Sequence, residues 1–292
     1  MHNCLKSIGL AGIKTIKDEK KLLDEILTKP DKKKMTTNSA DEDSFHAEMT
    51  KEFAPGIGIK IIGQFDEYDQ FRLDNYYPYF IAPCDRIEED CLVDRKMESL
   101  SFSGLCEDSH FGMPLIFHVV NTIDCILAGE PSGSPKRRVI ELSGLAIEGS
   151  VLLPTTNTRA LMNEQKPDKE KVKSAGSDLV DEDFDPGDYL MEELDRGYKA
   201  YGRINNEDVF SIVETTFMPF GMDVELYRII GIIEKVFFST NSYSGEEVCH
   251  LQIICNDLRF SICINKESLV GEPKPGRRFR GIIWLQGIVF PS

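Results

Sequence analysis

The last quarter of the chain, residues 226–290, constrains the fold most, because four apolar, β-branched runs follow one another there: LYRIIGIIEKVFF, CHLQIIC, LRFSICIN and RGIIWLQGIVF. Phe260, Ile262 and Ile264 alternate with Ser261, Cys263 and Asn265, the period-two pattern of a strand with one wet face. Residues 229–233 and 282–285 are apolar without strict alternation, which suits strands covered on both sides or a small closed sheet. The stretches NSYSG (241–245), Asn256-Asp257 and EPKPG (272–276) supply turns between the runs, so the region reads as an antiparallel meander. Gly231, Gly281 and Gly287 fall inside strand patterns, where glycine marks a bulge, a bend or a close approach of backbones. Such bends leave two outcomes, an open sheet or a small barrel of OB or SH3 type.

The rest of the chain must cover this sheet. With 292 residues, of which 41% are hydrophobic, there is ample apolar surface for one or two domains. No run approaches the roughly 18 apolar residues of a membrane helix, and the first residues lack a charged-then-apolar secretory pattern, so a cytoplasmic protein is expected. Eight scattered cysteines form no C-x-x-C pair and read as reduced core thiols. The formal net charge of −15 disfavours nucleic acid and anionic membranes for the molecule as a whole. From Glu225 onward, however, eight Lys/Arg balance seven Asp/Glu, so the acidity belongs to the earlier part.

Residues 1–27 read as helical, with Leu22, Leu23, Ile26 and Leu27 on one face of DEKKLLDEIL. A polar stretch, 29–43, reads as an exposed loop containing Lys32, Lys33 and Lys34. GIGIKIIGQF and FRLDNYYPYF, joined by DEYDQ, make a hairpin, and residues 92–102 add a strand. Tyr76, Tyr77, Tyr79 and Phe80 around Pro78 are either a packed strand end or a ligand-stacking platform. Residues 114–128 (PLIFHVVNTIDCILA) read as the central helix, with Ile116, Val119, Val120, Ile123 and Leu127 buried and His118, Thr122 and Cys125 on another face. On a helix His118 and Cys125 stand about 10 Å apart along the axis, too far for a catalytic pair. VIELSGLAIEGSVLLP is a further strand ended by Pro154, and the polar residues 155–177 are expected to be a flexible linker or a long surface loop. Residues 178–195 hold nine carboxylates. Asp181, Asp183, Asp185 and Glu192 match a calcium-loop template except that Pro186 stands where glycine is required, so a helix start fits better. Two helices, residues 187–201 and 208–217, then form a hairpin ahead of the C-terminal sheet.

Catalytic signatures are missing: no phosphate-binding glycine loop, no G-x-S-x-G and no H-E-x-x-H occurs. His46-x-Glu48 matches part of the zinc-deaminase pattern, but Pro83-Cys84 lacks the second cysteine that pattern needs. Lys274, Arg277, Arg278 and Arg280 with Phe279 and Trp284 form the one basic-aromatic cluster, read either as a single-strand-binding surface or as a charged turn beside a core tryptophan.

Five pieces, LKSIGLAGIK, KEFAPGIGI, SGLCED with LIFHVVN, ELSGLAIEGSVLLP and FSIVETTFMPFG, span most of the chain. Together they resemble an uncharacterised family of bacterial, chiefly clostridial, cytoplasmic proteins of unknown function. The resemblance implies a single bacterial cytoplasmic protein and brings no activity, cofactor or catalytic residue. The expected fold is therefore α+β. An N-terminal lobe of mixed strands and one central helix (1–154) is followed by the linker 155–177 and a C-terminal lobe (178–292) whose helical hairpin packs on the antiparallel sheet. The first expected function is a non-catalytic adaptor that binds another protein through sheet edges and the Tyr76–Phe80 region, with no cofactor and no metal. The alternatives are an enzyme acting on a small metabolite through carboxylates and His118 or His110, and single-strand binding by the C-terminal sheet.

Overall fold

The computed structural model describes residues 3–38, 41–96, 99–108, 113–152 and 215–290. A 3₁₀ turn, Asn3–Ile8, leads into α1, Ile16–Thr28. Thr15 caps α1 in a reciprocal box with Asp18, each side chain bonding the other's backbone N–H, and Leu22, Leu23 and Ile26 are its buried face. Four antiparallel strands follow: β1 (Lys32–Asn38), β2 (Asp41–Ala54), β3 (Ile57–Phe65) and β4 (Phe71–Phe80). Pro78, which cannot donate to a ladder, lies in β4 at the edge of this sheet.

The second sheet contains β5 (Arg86–Arg95), β6 (Phe102–Asp108), β7 (Met113–Val119), β8 (Lys136–Leu152), β9 (Thr216–Pro219), β10 (Leu226–Thr240), β11 (Glu247–Cys255), β12 (Leu258–Asn265), the short β13 (Leu269–Val270) and β14 (Arg278–Phe290). Its pairings close two five-strand rings. In the first, β8 pairs with β5, β5 with β6, β6 with β7, β7 with β14, and β14 with β8. In the second, β8 pairs with β12, β12 with β11, β11 with β10, β10 with β14, and β14 again with β8. The shared ribbon works because β8 is long: its 17 residues span about 56 Å at 3.3 Å each. Residues 136–141 of β8 serve the first ring through β5, and residues 143–150 serve the second through β12 and β13.

The two rings are built alike. Each consists of a three-strand meander, a short helical turn and a long strand, and each has one parallel pairing, β7 with β14 or β12 with β8. The turn after β7 is α2, Thr122–Leu127, preceded by Asn121, and the turn after β12 is a 3₁₀ turn, Lys266–Ser268, preceded by Asn265. Each long strand completes its own ring and the other one. Phe117 packs against Gly104 and Gly287 inside the first ring, and Phe279 against Gly149 and Gly281 inside the second. A Cβ at Gly287 would come within 2.6 Å of the Phe117 ring, and one at Gly281 within 2.5 Å of the Phe279 ring. The expected close approach at these glycines is thus a ring of carbon atoms seated where a side chain would be.

One apolar cluster fills the rings, with Leu115, Phe117, Ile140, Leu251, Phe260, Ile262, Phe279 and Ile283 among its members. A second lies between the four-strand sheet, α1, the N-terminal turn and the outer face of the rings, and includes Ile8, Ile59, Ile61, Tyr77, Phe80, Leu145, Cys263 and Trp284.

Several expectations are corrected. The protein is mostly β, and among the described residues only α1 is a helix longer than six residues, so the α+β reading does not hold. Residues 114–128 are not a central helix. Their first half is β7 and only Thr122–Leu127 is helical. PLIFHVV satisfies both periods over so short a run, and pairing with β6 and β14 selects the extended form that its branched and aromatic residues favour. The polar stretch at 29–43 contributes β1 and the start of β2. No helical hairpin packs on the C-terminal sheet among the described residues. Most of it, with the linker 155–177 and the carboxylates of 178–195, lies outside them, and of the described part, Thr215 is not helical and Thr216 and Phe217 belong to β9. The C-terminal runs do not form a simple meander either: β14 sits between β10 and β8, not beside β12. Ser261, Cys263 and Asn265 are buried, not wet: the N-terminal turn covers Cys263, whose Sγ is 3.2 Å from the Ser7 carbonyl oxygen, Asn265 Nδ2 donates to Glu246 at 2.6 Å, and Ser261 lies against Pro83. Among the described residues no helix is long and apolar enough to cross a membrane.

Candidate functional site

Strands expose alternate residues to opposite faces, so a strand lining a ring with apolar groups presents the other half of its residues outward. On β7, Leu115, Phe117 and Val119 point into the ring and His118 points out; on β14, Trp284 does the same. Against this outer face stand Asn75 and Tyr77 of β4, Lys96, Ser99 and Ser101 after β5, Asn3 and Cys4 of the N-terminal turn, and Asp223 and Glu225 before β10. Together they enclose a cavity of about 350 Å³.

Glu225 is the deepest charge, its side chain 3% exposed. Lys96 Nζ lies 2.6 Å from Oε1 and donates to Oε2 at 2.7 Å. Ser103 Oγ donates to Oε1 at 2.8 Å and Trp284 Nε1 to Oε2 at 2.9 Å. The Glu225 N–H donates to Asp223 Oδ1 at 3.1 Å, and its carbonyl accepts from Leu285 N at 2.9 Å, which fixes the segment on β14. A buried carboxylate is tolerable when every oxygen is paired in this way. The His118 ring sits between Tyr77, edge-on at 4.2 Å, and Trp284 at 4.8 Å, with Nδ1 3.4 Å from Lys96 Nζ. An ammonium facing Nδ1 favours the tautomer with its proton on Nε2.

Behind Tyr77 lies a second polar layer. The Tyr77 hydroxyl donates to the Val120 carbonyl at 3.2 Å, and Lys60 Nζ donates to the same carbonyl at 2.8 Å and to Glu48 Oε1 at 2.7 Å. Burial, and then the Glu48 charge, hold the Tyr77 hydroxyl well above the usual phenol range, so it keeps its proton. The groups facing the cavity are therefore arranged to hold and orient. Its one thiol, Cys4, is pushed up to about 12 by burial and by Asp223, which removes it as a nucleophile at neutral pH.

The other cysteines are free thiols as well, all of them buried except the half-buried Cys84. Cys91 and Cys106 face each other directly across β5 and β6 without a disulfide. Burial pushes Cys84, Cys125, Cys249 and Cys255 to about 12 and Cys91 to about 11. A shift from 9.0 to about 12 lowers the thiolate fraction at pH 8 by about 1,000-fold. The native protein is therefore expected to show no fast-reacting thiol toward an aromatic disulfide reagent at pH 8, and all eight after unfolding in urea. One rapidly labelled thiol in the folded state would contradict this burial.

Of the residues singled out in the sequence, His118, Tyr77 and Trp284 reach the cavity; His110 lies outside the described residues. Tyr77, Tyr79 and Phe80 are buried in a packed strand end, and Tyr77 also lines the cavity. Phe279 and Trp284 are buried as well, Arg277 donates to the Glu272 carbonyl at 2.8 Å, and Lys274 pairs with Glu272 at 2.7 Å, so the basic-aromatic run offers no stacking platform. His46 and Glu48 are buried neighbours on one face of β2, with Glu48 held by Lys60. Among the described residues no three His, Cys, Asp or Glu side chains group to hold a metal ion. Lys96 and Glu225 carried no sequence signal: they are 129 residues apart and each stands alone beside a strand end.

A family model described as "Domain of unknown function, E. rectale Gene description (DUF3881)" matches residues 5–287. No curated protein and no solved structure matches the chain.

Proposed function

The chain belongs to the DUF3881 family, whose description carries no activity, and on the geometry alone we propose that it binds a small polar metabolite in the cavity around Lys96, Glu225 and His118. The observation that carries this reading is the convergence of ionisable and hydroxyl groups from five separate parts of the chain on one cavity. Its volume, about 350 Å³, falls within the range of small-molecule sites, and its aromatic floor of Tyr77 and Trp284 is preformed. Lys96 is matched by Glu225, which leaves the Asp223 carboxylate at the rim, so the ligand carries amino or hydroxyl donors. Binding without covalent chemistry fits the raised thiol and the saturated carboxylate. Eight cysteines without a disulfide suit the reducing cytoplasm.

The adaptor reading has less support. The aromatic residues meant to carry it are interior, and β1, an edge of the four-strand sheet, opens with Lys32, Lys33 and Lys34, charges that discourage strand addition.

The test is a thermal-shift screen of the purified protein against amino acids, sugars, polyamines and nucleosides, followed by calorimetry. A compound that stabilises the protein is expected to lose about tenfold in affinity with Asp223→Asn, the worth of one charged hydrogen bond, and to lose binding with Ser99→Trp, which fills the cavity. A panel with no stabilising compound, or a compound indifferent to both substitutions, would reject the reading.

A further inference from the structure

A second concavity lies on the outer face of the other ring. Its floor is formed by Lys235 and Phe237 of β10, His250 and Gln252 of β11 and Ser261 of β12. Cross-strand register aligns these groups: Lys235 stands opposite Gln252, Phe237 opposite His250, and Gln252 opposite Ser261. The wall is the turn at Pro55-Gly56 together with Ile81, Ala82 and Pro83, the segment that follows β4. The enclosed volume is about 440 Å³.

Three features mark this concavity as built. The two halves of the wall are tied by the Ile81 N–H donating to the Gly56 carbonyl at 2.8 Å. That approach requires glycine: Gly56 has φ +71°, and a Cβ there would meet the Ile81 carbonyl oxygen at 1.9 Å. The floor is held as firmly, since His250 packs edge-on against the buried Phe80 at 5.1 Å and bonds Ser239 Oγ through Nε2 at 2.8 Å. The polar groups are also available. Among the described residues no ion pair involves Lys235, and the neighbouring Glu234 is already taken by Arg259, which also reaches Asp85 at 2.8 Å. Lys235 is thus an uncommitted cation at the edge of an apolar pocket, in a protein of net charge −15. Burial holds His250 below the usual imidazole range, so it presents a neutral ring. Phe237, 57% exposed, closes the apolar side with Ile81, Ala82 and the two prolines.

We propose that this concavity binds a small carboxylate with a compact apolar body, the carboxylate paired with Lys235 and the Gln252 amide and the body lying against Phe237, Ile81 and Pro83. The charge complements Lys235 and the body matches the wall, and neither holds for the first cavity, whose rim is acidic.

The experiment is calorimetry on the full chain with phenylacetate and octanoate as probes and phenylacetamide as the uncharged control. An acid is expected to bind about tenfold more tightly than the amide, the worth of one charged contact. Lys235→Gln should abolish that preference, Phe237→Ala should weaken both compounds, and Ser99→Trp in the first cavity should change nothing. Lys235 and Phe237 are exposed, so both variants are expected to fold. Absence of binding at millimolar concentration, equal affinity for acid and amide, or a preference that survives Lys235→Gln would overturn the proposal. So would concentration-dependent dimerisation abolished by Phe237→Ala, which would make the face a contact between copies of the chain.

Discussion

Replacing Lys60 by methionine is expected to lower the unfolding free energy by about 3–5 kcal/mol, the loss typical when one member of a buried ion pair is removed. Lys60 and Glu48 have side chains only 8% and 2% exposed, and their contact is 2.7 Å. Lys60 also donates to the Val120 carbonyl, so its removal takes the donor from Glu48 Oε1 and leaves the Val120 oxygen with the Tyr77 hydroxyl alone. The second carboxylate oxygen, Glu48 Oε2, is buried without a hydrogen-bond partner among the described residues, so nothing there is placed to take over the charge. The paired substitution Lys60→Met with Glu48→Leu should recover most of the loss, because it removes the uncompensated charge together with its partner. Urea melts followed by circular dichroism measure both. A single variant within about 1 kcal/mol of the parent protein would show that water reaches this layer and that the pair is not a dry one.

Gln286→Leu is expected to cost about 2–4 kcal/mol, although the side chains are similar in volume, because it strips the partners from two buried backbone groups. Gln286 is fully buried in β14 and acts as a piece of backbone: its Oε1 accepts from Phe80 N at 3.1 Å and its Nε2 donates to the Pro78 carbonyl at 2.9 Å. With Ser143 Oγ donating to the Phe80 carbonyl at 2.6 Å, it stitches the end of β4 to the shared ribbon. Leucine leaves one buried donor and one buried acceptor of β4 unmade, each costing about 1–3 kcal/mol. Hydrogen exchange gives an independent readout: the Phe80 amide should exchange far faster in the variant while amides within β8 keep their protection. Unchanged exchange at Phe80 would mean that β4 is held by packing alone. Asn121 makes the same kind of bridge three residues further along β14, with Nδ2 donating to the Val289 carbonyl at 2.8 Å and Oδ1 accepting from Val289 N at 3.0 Å.

Much of the strand content was legible. The runs at β3, β4, β8, β10, β11, β12 and β14 all carry branched or aromatic residues between turn signals, and the glycines at 281 and 287 announced close approaches that Phe279 and Phe117 occupy. The short run at β7 was not, because seven residues with an apolar stripe satisfy helix and strand alike until a partner strand is present. The candidate site was legible only at His118 and at two aromatic residues, Tyr77 and Trp284. Its other charges come from distant parts of the chain, and neither Lys96 nor Glu225 belongs to a local pattern that spacing could reveal.

Composition and periodicity by themselves determined individual strands and the apolar surroundings of the thiols, since each strand's pattern records which of its faces avoids water, but they pointed to an α+β fold and not to the mostly β one observed. Tertiary structure alone decided that β8 and β14 are shared by two rings. A strand's own residues do not encode which edge it will pair with: backbone N–H and C=O groups are the same at every position, and the choice falls to whichever neighbour completes the ladder and buries both faces.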